Sequence, residues 1–167
     1  MNNIAKQRLD VIYASGEENT TRIGRRVKRL QLKLAPRLQI IHETDLTVIL
    51  EKAEEVQPAV IVIDSVQTLF LDDDLEIGSV QTIKIALREI EKFIKETGGK
   101  ITFILIGHIK KDGGLAGPKT LEHMVDTNLH FTGTKFDPKR TLHCESKNSD
   151  GEAPVQAYFE MTERGLI

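Results

Sequence analysis

Four consecutive apolar residues, Val60-Ile61-Val62-Ile63, end in Asp64 and Ser65. A run this short, β-branched throughout and bounded by polar residues, reads as a strand buried on both faces. Such strands lie inside parallel sheets with helices on either side, so one segment already points to an α/β fold. A carboxylate at the C-terminal end of that strand sits where open α/β sheets bind ligands. Apolar run followed by Asp is also the form of the segment that holds Mg2+ beside a nucleotide phosphate. Many α/β proteins carry a buried strand that simply stops at a polar turn, so the pattern needs support from its surroundings.

That support is periodic. Residues 1–8 resemble the last turns of a helix, and residues 9–14 (LDVIYA) read as a strand ended by Ser15-Gly16. Residues 20–34 form an amphipathic helix with Ile23, Val27, Leu30 and Leu34 on one stripe. A short strand over 38–42, a helix over 46–56 and the strand ending at Asp64 follow. Ser79 caps a long helix reaching Glu96, closed by Gly98-Gly99, and residues 101–106 (ITFILI) read as a second doubly buried strand. Strand and helix alternate as in stacked βαβ units. After residue 128 the pattern changes: 129–132, 141–145 and 155–161 alternate in polarity without long helices between them. These read as an antiparallel edge extension of a mostly parallel, helix-flanked sheet. The expectation is a single domain over residues 1–167.

Composition narrows the function. Net charge is −2, which argues against a global basic field. The one cysteine, Cys144, rules out an internal disulfide or a cysteine-cluster zinc site and fits a reducing, cytoplasmic setting. No apolar stretch is long enough for a membrane span, and the N-terminus has no signal-peptide core. Aromatic content of 5% with no tryptophan disfavours a base-stacking platform.

Several side chains stand out for chemistry. Glu17 and Glu18 follow the first strand: two acids suit a helix N-terminus, yet one of them could project toward the rim that holds Asp64, as a general base would. His108 ends the 101–106 strand, either as a hydrogen-bonded rim residue or as a sensor of a bound phosphate. The polar face of the 20–34 helix carries Arg22, Arg25, Arg26, Lys28, Arg29 and Lys33 with no acid among them. Charged helix faces are usually just solvated; the sharper reading is an anion-binding surface in which Arg25 and Arg29 meet DNA. Residues 110–118, KKDGGLAGP, form a glycine-rich loop in which Lys110 and Lys111 would meet phosphates.

Four motifs bring these signals into one order: SGEEN (15–19), VIDSVQTL (62–69), IGHIKKDGGLAGPKTLEHMVD (106–126) and FEMTERGL (159–166). Together they resemble the ATPase core of the bacterial RadA (Sms) family, RecA-like ATPases of DNA repair and homologous recombination that form rings on DNA. The resemblance covers nearly the whole chain. It implies a RecA-like P-loop NTPase core using ATP and Mg2+, with Asp64 as the Walker B metal-holding aspartate and Ser65 beside it at the cofactor. It implies Glu17 as the carboxylate that activates water, His108 at the phosphate-sensing strand end, Lys147 as a catalytic lysine, and 110–118 as a DNA-facing loop.

The chain departs from that family in three ways. No G-x-x-x-x-G-K-[ST] occurs in its 167 residues, so the first strand and P-loop are expected to be missing. Where the family carries KNRFG, this chain has Lys147-Asn148-Ser149-Asp150-Gly151, with Ser149 in place of the arginine. The family's zinc module and Lon-like domain have no counterpart here. The expectation is a truncated core, inactive as an ATPase alone, that binds DNA and self-associates into a homo-oligomer. The alternative is a non-catalytic RecA-like module that binds DNA or a partner protein.

Overall fold

The computed structural model of the chain describes residues 1–108, 123–134, 136–144, 155–163 and 165–167. It divides into two compact units, Met1–Gly114 and Leu115–Ile167.

The first unit is built on a four-stranded parallel sheet in the order β2-β1-β3-β4. Its strands are β1 (Val11–Ser15), β2 (Leu38–Ile41), β3 (Val60–Asp64) and β4 (Thr102–Ile106). The helices are α1 (Asn2–Ala5), α2 (Thr20–Arg29), α3 (Leu46–Val56) and α4 (Val80–Glu96). Successive side chains of a strand point to opposite faces, and the two central strands divide accordingly. Ile12, Ala14, Ile61 and Ile63 pack with Ile49 and Ala53 of α3 and Ala86, Ile90 and Phe93 of α4. Val11, Tyr13, Val60 and Val62 pack on the other face with Ala5 of α1 and Ile23 of α2. Ile12 and Ile61 are fully buried, and each such side chain contributes roughly 1.5–3 kcal/mol.

The helix ends follow from local chemistry. Asp45 accepts a hydrogen bond from the Thr47 amide (2.8 Å) at the start of α3. Ser79 accepts from the Thr82 amide (3.1 Å) at the start of α4. Beyond α4, Gly98 and Gly99 take φ of +72° and +71°, where only glycine avoids strain.

Two expectations need correction. Helix α2 stops at Arg29 rather than near Leu34, because Gln31 adopts φ +51° and turns the chain away; Leu34 is left exposed. Strand β4 is not buried on both faces. It lies at the sheet edge with Thr102 and Ile104 exposed.

In the second unit the expected antiparallel strands pair among themselves. The order is β5-β6-β7-β8, comprising β5 (His130–Thr132), β6 (Lys139–Cys144), β7 (Val155–Thr162) and β8 (Gly165–Leu166). Phe131 and Phe159 pack ring to ring across this sheet, with centroids 6.4 Å apart.

Candidate active site

Register places the site. Ser15 of β1 and Ile106 of β4 are the partners of Asp64 on the two sides of β3. All three strands therefore end at one level. Glu17 stands two residues past Ser15, and His108 two residues past Ile106. Parallel pairing brings both over Asp64, at the C-terminal edge of the sheet where α/β folds bind ligands. The Gly16 amide donates to the Asp64 carbonyl at 2.8 Å and holds the exit of β1 against β3.

The side chains converge. His108 Nε2 lies 3.3 Å from Glu17 Oε1 and 3.9 Å from Asp64 Oδ1. Ser65 donates its hydroxyl proton to Glu17 Oε1 at 2.9 Å. One ligand atom from each of Glu17, Asp64 and His108 falls within 4.8 Å of the others. Asp64 is the least exposed of the three, at 20% of its side chain against 42% for Glu17 and 57% for His108. The arrangement offers two carboxylates and an imidazole at one open rim, enough to hold a cation or orient a water.

Two residues without a conspicuous motif of their own support this set. Tyr13 donates its phenolic proton to Asp64 Oδ2. Residues 11, 13 and 15 share one face of β1, and Tyr13 reaches Asp64 diagonally across the pair. Burial first, and then the hydrogen bond and negative charge of Asp64, push the Tyr13 pKa up to about 12, so it stays a neutral donor. Its signal in the sequence was the only hydroxyl-bearing aromatic in an otherwise aliphatic strand, since a buried tyrosine needs a partner for its OH. Gln67, in the 3₁₀ turn Val66–Thr68, grips the backbone of His108 from both sides. Its amide nitrogen donates to the His108 carbonyl (3.1 Å), and its oxygen accepts from the His108 amide (3.3 Å).

Glu17 and Glu18 both precede the N-cap of α2, which is Asn19, so neither serves as a first-turn acid. Glu18 instead pairs with Arg26. The polar face of α2 thus does meet an acid, from the loop ahead of it rather than from the helix itself. Glu18, Arg22, Arg25, Arg26 and Arg29 line an open groove on this surface. Lys110, Lys111, Lys147 and Ser149 lie outside the described residues.

The chain has sequence relatives among known proteins. No family model matches the sequence. The chain is 38% identical over 157 residues to DNA repair protein RadA of Bacillus subtilis, covering 93% of this chain and 33% of that protein. It is 39% identical over 157 residues to DNA repair protein RadA of Aquifex aeolicus, covering 93% of this chain and 34% of that protein. The same named protein of Escherichia coli is 35% identical over 161 residues, covering 96% of this chain and 34% of that protein.

Nearly all of the chain matches one segment of DNA repair protein RadA.

It spans about a third of the length of these RadA relatives. A parallel sheet flanked by helices, joined to an antiparallel sheet in the same chain, is consistent with a RecA-like core in RadA. Among the described residues, no helix is long and apolar enough to cross a membrane.

Proposed function

We propose that this segment is the part of a RadA-type DNA repair and recombination ATPase that supplies the metal-holding and water-orienting carboxylates. The observation that supports this most is the meeting of Glu17, Asp64 and His108 at the ends of adjacent parallel strands. Asp64, with one oxygen held by Tyr13, keeps Oδ1 available for Mg2+. Glu17, fixed by Ser65, is the water-orienting group, and His108 reports on the phosphate to the residues that follow β4. Bound Mg-ATP supplies the phosphoryl group and its charge-neutralising cation. Residues of this chain hold, orient and accept the proton.

The 167 residues contain no G-x-x-x-x-G-K-[ST], so the backbone cradle and phosphate lysine have to come from residues outside them. The chain alone is therefore expected to bind Mg-ATP weakly and to hydrolyse none. Joining a cradle-bearing strand, loop and helix ahead of Met1 should create nucleotide binding. Glu17→Gln in that fusion should then lower hydrolysis about 10²–10⁴-fold, the usual contribution of a general base. Micromolar Mg-ATP affinity of the chain alone, or an active fusion indifferent to Glu17→Gln, would contradict this reading.

DNA binding, branch migration and a cytoplasmic homo-oligomer belong to the same proposal, with Arg25, Arg29, Lys110 and Lys111 on the phosphates. One observation favours a second reading, a non-catalytic module for DNA or an acidic partner. Ser149 and Asp150 stand where the family carries arginine and phenylalanine, and that arginine is worth several orders of magnitude in rate in comparable NTPases. Fusion protein that binds DNA but never turns over ATP would favour it.

A further inference from the structure

We propose that Glu17, Asp64 and His108 form a three-ligand site for a divalent transition-metal ion of the Zn2+ and Co2+ class, and that the site fills without nucleotide. This goes beyond the ATPase reading, where the cation is Mg2+ brought with the phosphates and held by Asp64.

Ligand chemistry separates the two. Mg2+ takes oxygen ligands and keeps several waters, whereas imidazole suits zinc and its neighbours in the first row. Here the imidazole nitrogen lies within 3.9 Å of an oxygen of each carboxylate. Zn–N and Zn–O bonds of about 2.0–2.2 Å at a tetrahedral angle place neighbouring ligand atoms about 3.4 Å apart. His108 Nε2 and Glu17 Oε1 already stand 3.3 Å apart. Asp64 Oδ1, at 3.9 Å from the same nitrogen, reaches ligand spacing by a small rotation of its carboxylate. Three protein ligands and one open position is the arrangement of reactive rather than structural zinc sites.

The partners around the trio are those that orient metal ligands elsewhere. Tyr13 occupies Asp64 Oδ2 and leaves Oδ1 facing the other two. Ser65 fixes Glu17 from the end of the neighbouring strand. Gln67 clamps the backbone of His108, so the imidazole hangs from a fixed point. A bound ion would also offset the charge of two carboxylates held at one rim.

The test uses the 167-residue chain with no nucleotide and no DNA, so failure of the ATPase reading leaves its outcome intact. Co2+ is titrated and followed by visible absorption, then displaced with Zn2+. The expected result is one Co2+ per chain with the intense bands of a four-coordinate ion. His108→Ala removes a direct ligand and should weaken Co2+ by at least the roughly 10–100-fold that loss of an outer-shell partner costs. Its affinity for Mg2+ should not change. Absence of a band at millimolar Co2+, or an identical titration in His108→Ala, would overturn the proposal. Should that variant fail to fold, Co2+-induced paramagnetic shifts and broadening in the amide spectrum of the wild-type chain, recorded with Mg2+ in excess, decide. Broadening centred on residues 16–18, 64–66 and 107–108 supports the site; broadening centred on other histidines overturns it.

Discussion

Replacing Tyr13 with Phe isolates one interaction beneath the candidate site. The ring is 6% exposed and packs among Val11, Val62 and Ile23, so phenylalanine fits the same space. What disappears is the hydrogen bond to Asp64. A hydrogen bond to a charged group contributes about 1.5–3 kcal/mol, and water can partly replace it because Asp64 is not fully enclosed; the expected loss is about 1–2 kcal/mol at pH 8. The pH dependence carries a second signature. Tyr13 titrates near 10.0 when unfolded and is pushed up to about 12 when folded. A raised folded pKa gives stability that is fully present below pH 10 and is lost as pH rises through 12. Two units correspond to on the order of 2–3 kcal/mol, of which about 1.4 kcal/mol is gone by pH 11. Urea unfolding of both proteins from pH 8 to pH 11 measures the difference directly, and other titrating groups cancel between them. The wild-type advantage should shrink by about 1–1.5 kcal/mol across that range. Equal stability at pH 8 together with parallel curves would refute the buried pairing of Tyr13 with Asp64.

Gly16→Ala should destabilise the chain and displace Glu17, because the added Cβ would lie 2.7 Å from Thr68 Cβ and 3.0 Å from Thr44 Cγ2; denaturant unfolding reads the first effect and the Co2+ titration the second. Ser79→Ala should cost about 1 kcal/mol in unfolding free energy by removing the α4 cap, without changing any property of the rim. Reversing charge at Arg25 and Arg29 together should weaken filter binding to DNA and flatten its dependence on salt, the slope falling by roughly 0.9 for each phosphate that is no longer neutralised; unchanged affinity and slope would remove α2 from any nucleic-acid interface.

Much of the architecture was legible because the relevant signals are local. Helix α3 was expected over residues 46–56 and runs Leu46–Val56, and Ser79 caps α4 as expected. The Val60–Ile63 run marks a central strand because only a strand flanked on both sides and both faces tolerates apolar residues at every position. The same logic misled at 101–106. Six apolar or β-branched residues read alike whether a strand lies inside a sheet or at its edge, and only the strand order separates the two. Helix α2 illustrates another limit: Leu30 and Leu34 continue the apolar stripe, but the turn at Gln31 is a backbone choice that periodicity does not carry. At the rim, Asp64 and His108 stood out at their strand ends, whereas the choice of Glu17 over Glu18 came only with the family resemblance. Tyr13 and Gln67 could not be singled out, because their roles depend on cross-strand register and on a 3₁₀ turn after β3 that bonds to the residue two past β4.

The account depends on one geometric fact, the meeting of two carboxylates and an imidazole at the end of the parallel sheet. A crystal structure of this chain at a resolution that fixes side chains measures it directly. The expected result is His108 Nε2 within about 4 Å of both carboxylates, the outer limit for an ion pair, with Ser65 bonded to Glu17 and Tyr13 to Asp64. Glu17 turned into solvent on the far side of β1, or β1 and β3 separated by another strand, would contradict it.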